Sequence, residues 1–452
     1  MSTSSRKLSG WGGVAGQSCR VARISDRNAV AEMVMNGTLT GRVIGRGLGR
    51  AYGDSALLAT DGVVADCTGL DQFIAFDPET GIVTCEAGVS FADIVAVFLP
   101  RGWFLPTTPG TKFVTVGGAI AADVHGKNHH RMGSFGNFVE WIDLLLADGS
   151  AVRCSRTVEP ELFFATIGGM GLTGLIVSGA FRLVRVETAS LWVRYRKTTD
   201  LADTLAAFDE GDAGCEHSVA WIDCMAGGAS LGRSVVMQGS PATRAEVSSH
   251  GDPLRLPAKR RSAIPFTPPL SVLSPLTVKA FNAVFYNLHS DIVKFVDIES
   301  FFYPLDAVRH WNRLYGPRGF VQYQAFFPRA TSAAGLPRLL EAVVQSGAAS
   351  FLAVLKSCGE ADGGMLSYLE PGHTLALDIP YRHRSVPDLC RRLDRILLDH
   401  GGRLYLAKDS LMSAETFRAM YPRIEEFLAV KQRVDPTGRF VSSQARRVGL
   451  AS

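Results

Sequence analysis

The 452-residue chain reads as an α+β protein with mixed sheets, and three observations lead there. Its first third alternates short apolar or β-branched runs with Gly, Asp and Pro turns. The helices it shows there are few and separately capped. The steady strand–helix–strand beat of a doubly wound nucleotide fold is missing. At ~100–200 residues per domain, the length suits two or three domains.

The elements follow in order. Strands are expected at 41–45 (GRVIG), 62–66 (GVVAD), 81–86 (GIVTCE) and 141–146 (WIDLLL), each bounded by turn residues. Residues 90–99 read as a helix with Ser90 as N-cap and Asp93 in its first turn. A second helix is expected over 159–167, where Pro160 suits an early helical position. Alternation resumes at 175–186, as in a strand. Beyond about Glu187 glycine thins, and aromatic-rich strands are expected at 218–223, 295–303 and 320–327. Helices are expected at 336–346, 386–400 and 414–431. Residues 251–275 hold six prolines and the basic cluster Lys259, Arg260 and Arg261, which predicts a mobile loop. With Leu254, Leu256, Ile264, Phe266 and Leu270, it reads as a solvated insertion or as a lid or membrane-surface contact.

Composition excludes several function classes. A net charge of +4 with no long Lys/Arg run gives no footprint for nucleic acid. No run of 18 apolar residues occurs, and the start lacks the apolar stretch of a secretory signal. The eight cysteines are scattered without a C-x-x-C pair, against both zinc and a disulfide framework. These features predict a soluble protein, cytoplasmic or peripheral at the inner membrane, with the periplasmic side left open.

Glycine points to the ligand. Of 46 glycines, 27 fall in the first 185 residues. The run Gly45–Asp54 (GRGLGRAYGD) offers exposed backbone N–H groups able to hold pyrophosphate, yet it fits neither the Rossmann nor the Walker frame. A second loop runs from Pro109-Gly110-Thr111 through Thr115-Val116-Gly117-Gly118 to His125-Gly126-Lys127-Asn128-His129-His130. Backbone beside imidazole suits a planar cofactor, and no Cys, Asp or Glu stands at zinc spacing, so no metal is expected. A third turn, Gly168–Gly174 (GGMGLTG), is as consistent with plain punctuation as with a ligand.

Taken together with the late K-x-x-x-D-P-x-x-x-F at Lys431, Asp435, Pro436 and Phe440, these loops resemble the vanillyl-alcohol-oxidase class of FAD enzymes. HGKNHH, GSFGN, WNRxYGP, GFVQYQ, LYLAKDS and AETFRAMYPR further resemble the decaprenylphosphoryl-ribose 2-oxidase family within it, from Trp11 to Arg447. The resemblance implies a two-domain fold. Residues 1–187 and 403–452 would bind FAD, and an inserted antiparallel-sheet domain at 188–402 would bind substrate. It also implies flavin contacts at Gly45, Arg46, Gly47, Leu48, Gly49, Arg50, Tyr52, Gly53, Asp54 and Ser55. Further flavin contacts fall on Gly110, Thr115, Gly117, Gly118, Ala122, Asp123, Val124, His125, Ile176 and Tyr405. Substrate would meet Lys127, Trp221, Gln322, Gln324, Lys356 and Lys408, the last also reaching the flavin.

The implied reaction oxidises the 2-hydroxyl of a polyprenylphosphoryl ribose to the 2-keto sugar, the first half of an epimerisation to the arabinose donor for cell-envelope glycans. An NADH-dependent keto-sugar reductase would complete it. Tyr52, His125 and Lys408 are all conceivable proton acceptors, and Lys127 and Lys356 could pair with the phosphate. Two departures stand out. Related sugar-alcohol oxidases often tether flavin through a histidine where this chain has Arg50, so FAD is expected to be non-covalent. Mycobacterial members carry a pocket cysteine where this chain has Ala376. The alternatives are an aldonolactone or alditol oxidase acting on a soluble sugar, a non-catalytic flavin-binding protein and, least favoured, a metal-dependent hydrolase.

Overall fold

A computed structural model describes residues 3–14, 16–27, 29–35, 39, 41–59, 61–247, 251–259, 262–269, 271, 273–348, 352–382 and 385–451. Arg260, Arg261 and Leu270, singled out in the proline-rich loop, lie outside the described residues. Three larger sheets organise the chain.

The first sheet holds β1 (Ser4–Leu8), β2 (Gln17–Arg23), β3 (Arg42–Arg46) and β4 (Gly62–Asp66), in the order β1-β2-β4-β3. β2 and β3 run parallel to β4, which is why β4 is an unbroken small apolar run buried at its first four positions. The second sheet is antiparallel. It contains β5 (Phe73–Phe76), β6 (Ile82–Glu86), β8 (Val139–Leu145), β9 (Ala151–Ser155) and β10 (Leu175–Arg182), in the order β5-β6-β10-β8-β9. A two-residue ribbon of β7 (Trp103–Phe104) and β11 (Val184–Arg185) lies beside it.

The third sheet has eight strands. They are β12 (Ser190–Thr198), β13 (His217–Ile222), β14 (Ser234–Pro241), β16 (Ile292–Asp297), β18 (Phe320–Pro328), β19 (Ala353–Cys358), β20 (Gly372–Pro380) and β21 (Arg403–Leu404). Their order is β16-β12-β14-β13-β19-β20-β18-β21. The helices Arg329–Ser346 and Val386–Asp399 pack on one face, burying Leu336, Leu339, Leu340, Leu393 and Leu397. The opposite face forms one wall of the cavity described below. A parallel pair, β15 (Ser262–Ala263) with β17 (Val308–Arg309), fastens the proline-rich segment.

Local signals set many boundaries. Ser90 and Asp93 make a reciprocal capping box that opens the helix Phe91–Phe98. Pro160 occupies the first helical position of Pro160–Thr166.

Three expectations need correction. Residues 295–303 are not one strand. β16 stops at Asp297, whose carboxylate accepts the Ser300 N–H (3.0 Å) and caps the helix Ile298–Phe302. Residues 414–431 are not one helix. Ala414–Met420 and Ile424–Val434 are separated at Tyr421, which is extended because Pro422 follows it. The loop expected to run to Pro275 ends in a helix instead, since Pro275 opens Pro275–Leu288 behind a Ser274–Thr277 capping box.

Candidate active site

Both glycine loops and the free face of the eight-stranded sheet enclose a single cavity of about 550 Å³. Its two ends are built on different principles.

At the glycine end, the chain leaves β3 at Arg46 and turns at Gly49, whose φ of +67° suits glycine. A Cβ on Gly47 would lie 2.2 Å from Thr115 Oγ1, and one on Gly117 would lie 2.9 Å from the Ala87 Cβ. Gly47 therefore packs against the Thr115 side chain and Gly117 against Ala87, and neither has room for a side chain of its own. Thr115 caps the helix Val116–Ala121 by accepting the Gly118 N–H (3.2 Å). Tyr405 closes this end by donating its hydroxyl to the Ala122 carbonyl (2.6 Å). Ile176, Ala122 and Val124 complete the wall.

The arginines divide their work. Arg46 turns away, donating to the carbonyls of Ser9 (2.9 Å) and Ala56 (3.3 Å), so its side chain braces the loop. Arg50 lies over the Trp11 ring at 4.0 Å, with its buried Nε lacking a partner among the described residues.

At the sheet end, strand alternation puts Gln322 with Gln324, Val354 with Lys356 and Val219 with Trp221 on the cavity side. The register aligns Gln324, Ala376, Val354 and Trp221 as one row across four strands. Three lysines lie within this wall. Burial pushes Lys127 and Lys408 down to about 7 and Lys356 down to about 8. Lys127 donates to the Phe301 carbonyl and lies over that residue's ring at 4.2 Å. The Lys408 ammonium lies 4.0 Å over the Tyr52 ring, and the Tyr52 N–H donates to the Ala407 carbonyl (2.9 Å).

Sequence reasoning missed Asp378. Fully buried on β20, it accepts from Gln322 Nε2 (2.6 Å) and from the Tyr315 hydroxyl (3.1 Å). Burial raises its carboxyl to about 7, while its charge favours the ammonium of Lys408 against burial. Its one sequence signal is alternation: as partner of Gln322 across the ladder, it shares that residue's face.

The structure separates the three candidate proton acceptors. Burial first, and then the Asp378 charge, hold Tyr52 well above the usual phenol range, so it keeps its proton. Burial holds His125 well below the usual imidazole range. Its Nε2 accepts from Gln324 Nε2 (3.0 Å), which leaves the ring proton on Nδ1, a buried atom without a partner among the described residues. Lys408 alone of the three titrates near neutrality.

Three expected cofactor residues stand behind the wall. Gly53 packs on the Lys408–Asp409 turn, where a Cβ would lie 1.9 Å from the Asp409 carbonyl oxygen. Asp54 pairs with Arg447 (2.7 Å). Asp123 accepts the Gly136 N–H (3.0 Å) and the Ser367 hydroxyl (2.8 Å). All the other expected flavin and substrate residues line the cavity.

The histidine cluster does find possible metal ligands in space. His130, Asp212 and Cys215 bring ligand atoms within 4.8 Å of one another, outside the cavity wall. Asp212 already accepts from Ser357 and from Gln238 (3.1 Å), and burial pushes the Cys215 thiol up to about 12.

A flavin dinucleotide fits this architecture. The cradle of Gly47, Gly117 and Gly118 offers backbone without intruding side chains, and the orphaned Arg50 Nε and His125 Nδ1 offer donors beside it. Comparisons agree. A family described as FAD binding domain matches residues 21–155, and one described as D-arabinono-1,4-lactone oxidase matches residues 338–448. The chain is 37% identical to a decaprenylphosphoryl-β-D-ribose oxidase of Mycolicibacterium smegmatis, covering 99% of this chain and 98% of that one. It is 32% identical to an uncharacterised protein of Streptomyces coelicolor over 79% of this chain and 99% of that one. Identity to an L-gulono-1,4-lactone dehydrogenase of Mycobacterium tuberculosis is 24%, over 95% of each chain. The chain is an FAD-dependent oxidoreductase, and it belongs to the decaprenylphosphoryl-β-D-ribose oxidase family.

Proposed function

We propose that this protein oxidises the 2-hydroxyl of a polyprenylphosphoryl β-D-ribose, with decaprenyl as the lipid, to the 2-keto sugar. The observation that carries the reading is the set of three half-buried lysines facing one cavity with a backbone-lined glycine cradle. A soluble sugar gives no reason to gather three half-buried amines on one cavity, whereas a phosphate gives Lys127 and Lys356 a charge to neutralise.

When bound, FAD supplies the two-electron acceptor. The protein must then orient the sugar and take the hydroxyl proton. Lys408 is the group we assign to the proton: burial brings its Nζ down to about 7, so near neutrality about half of it is free amine. Asp378 opposes that burial effect and keeps the ammonium tolerable once formed. Gln322 and Gln324 present amides from one strand, and Trp221 offers an apolar face for the sugar. Tyr52 orders Lys408 beneath its ring. With Arg50 at the position of the tethering histidine, FAD is held without a covalent bond.

In this reading residues 1–187 and 403–452 form the flavin unit and 188–402 the substrate unit. An NADH-dependent reductase consumes the keto sugar, and the protein works at a membrane surface as a peripheral enzyme. Among the described residues, no helix is long and apolar enough to cross a membrane.

The test is an anaerobic half-reaction. Polyprenylphosphoryl ribose is expected to bleach the flavin absorbance, while free ribose and aldonolactones do not. The match of residues 338–448 to the lactone-oxidase family supports a second reading, oxidation of a soluble aldonolactone. Bleaching by an aldonolactone at a comparable rate would establish it in place of the first.

A further inference from the structure

We infer that the helix Pro275–Leu288, with the edge strand β16, forms a side exit from the cavity that seats the isoprenoid chain of the substrate. This rests on the proposed polyprenylphosphoryl substrate and adds where its lipid goes.

The helix is unusual in how it is held. Its buried positions are Val278 and the polar Asn282. Asn282 donates to the Asp223 carboxylate (2.8 Å), and the Tyr286 hydroxyl donates to the Thr198 carbonyl (3.1 Å). Polar bonds thus fasten the helix, and most of its apolar face is not spent on the fold. Leu276, Val284 and Leu288 are 78%, 57% and 79% exposed, and Phe281 is 45% exposed. Phe281, Val284 and Leu288 follow the i, i+3, i+7 spacing of one helix face.

That face continues into the cavity. Phe281 lies 6.0 Å from Phe285, and Phe285 lies 4.5 Å from Trp221, between ring centroids. On the other side, Phe285 meets His289 at 4.3 Å, and His289 stacks on Tyr195 at 5.8 Å. Phe281, Phe285, Trp221 and Tyr195 all line the cavity. Tyr195 stands opposite Ile292 across the β12–β16 ladder, and Ile292 is 49% exposed. An apolar path therefore runs without interruption from the buried Trp221 to the surface.

The occupant follows from this continuity. A second protein or a flat membrane could cover the outer face, but neither would extend to Trp221. A flexible hydrocarbon chain leaving a phosphate held at Lys127 and Lys356 would. The helix, with 14 residues, offers ~21 Å of path, enough for several isoprene units.

The test uses FAD-loaded protein and polyprenyl monophosphates without sugar, so it does not depend on turnover. Binding of decaprenyl and geranyl monophosphate is followed by tryptophan fluorescence in the native protein and in Leu276→Ser/Val284→Ser/Leu288→Ser. The triple variant changes exposed positions, and Val158→Ser, exposed elsewhere on the surface, is the control. Native protein is expected to prefer the decaprenyl chain. The triple variant should weaken decaprenyl binding about 10-fold with little change for geranyl, and the control should change neither. An unaltered chain-length preference in the triple variant would overturn the proposal, as would no preference in native protein. Reduced sedimentation with phospholipid vesicles at an unaltered preference would overturn it too, making the face a membrane seat. If decaprenyl monophosphate binds along this path but no polyprenylphosphoryl ribose bleaches the flavin, the tail site stands and the assigned reaction fails.

Discussion

The two ends of the cavity contrast in what holds their ligands. The glycine end offers backbone to a ligand, and its side-chain space is already taken by Thr115 and Ala87. The sheet end offers long side chains, three of them half-buried amines whose pKa burial lowers. Substitutions at the first end therefore act through sterics and cofactor retention. Substitutions at the second act through charge and turnover, and the cofactor stays.

The largest effect that would break this contrast is at Gly47. Gly47→Val must displace Thr115, so flavin absorbance per purified chain is expected to fall to near zero, with turnover lost in parallel. Lys408→Met should do the opposite. Flavin content stays at the native level while the rate of anaerobic bleaching falls about 10²- to 10⁴-fold. A Lys408→Met protein that bleaches at the native rate would remove Lys408 from its assigned role.

Next is Lys356→Met, expected to raise KM for the lipid-linked sugar about 10- to 100-fold with a smaller change in kcat. The same variant should be more heat-stable than native protein in the absence of substrate, which thermal unfolding checks. Burial depresses the folded-state pKa of all three lysines. Between that value and the unfolded value near 10.4, the unfolded chain binds more protons, so stability rises with pH from about 7 to about 10. Below about pH 7 the cost of partly desolvating three ammonium groups remains. Replacing one lysine should flatten this slope.

A smaller effect is expected at Asp378. Its charge favours the protonated form of Lys408, so Asp378→Asn should move the acid limb of the kcat profile to lower pH. The smallest concerns Ala376, which stands in the row between Gln324 and Val354. Native protein should show no covalent labelling there by thiol-trapping inhibitors, while Ala376→Cys should accept one label per chain with its flavin retained. Mass spectrometry distinguishes the two.

How much was legible in the sequence follows the same division. The glycine end declares itself locally, because tight turns, Ser90–Asp93 capping and the short strands β3, β4 and β6 depend on near neighbours. Even the break at Tyr421-Pro422 and the start at Ser274-Pro275 were written there, in rules about proline. Asp378 could not be found so, because its meaning comes from a pairing with Gln322, 56 residues away. Gly53, Asp54 and Asp123 show the reverse limit: motif membership located the loops but not which side of the wall each residue would take. The resemblance placed the lysines, and only packing against Phe301 and Tyr52 showed how they are held.

The return of the chain at β21 has a consequence for how the molecule tolerates cleavage. The strand Arg403–Leu404 pairs with β18, and four residues later the chain delivers Lys408 against Tyr52. That turn is in turn clamped by Arg447, which bridges Asp54, 393 residues earlier, and Asp409 (2.7 and 2.8 Å). The turn that carries Lys408 is thus held from a distant helix, and a molecule cleaved before Arg447 should keep its flavin absorbance while losing turnover.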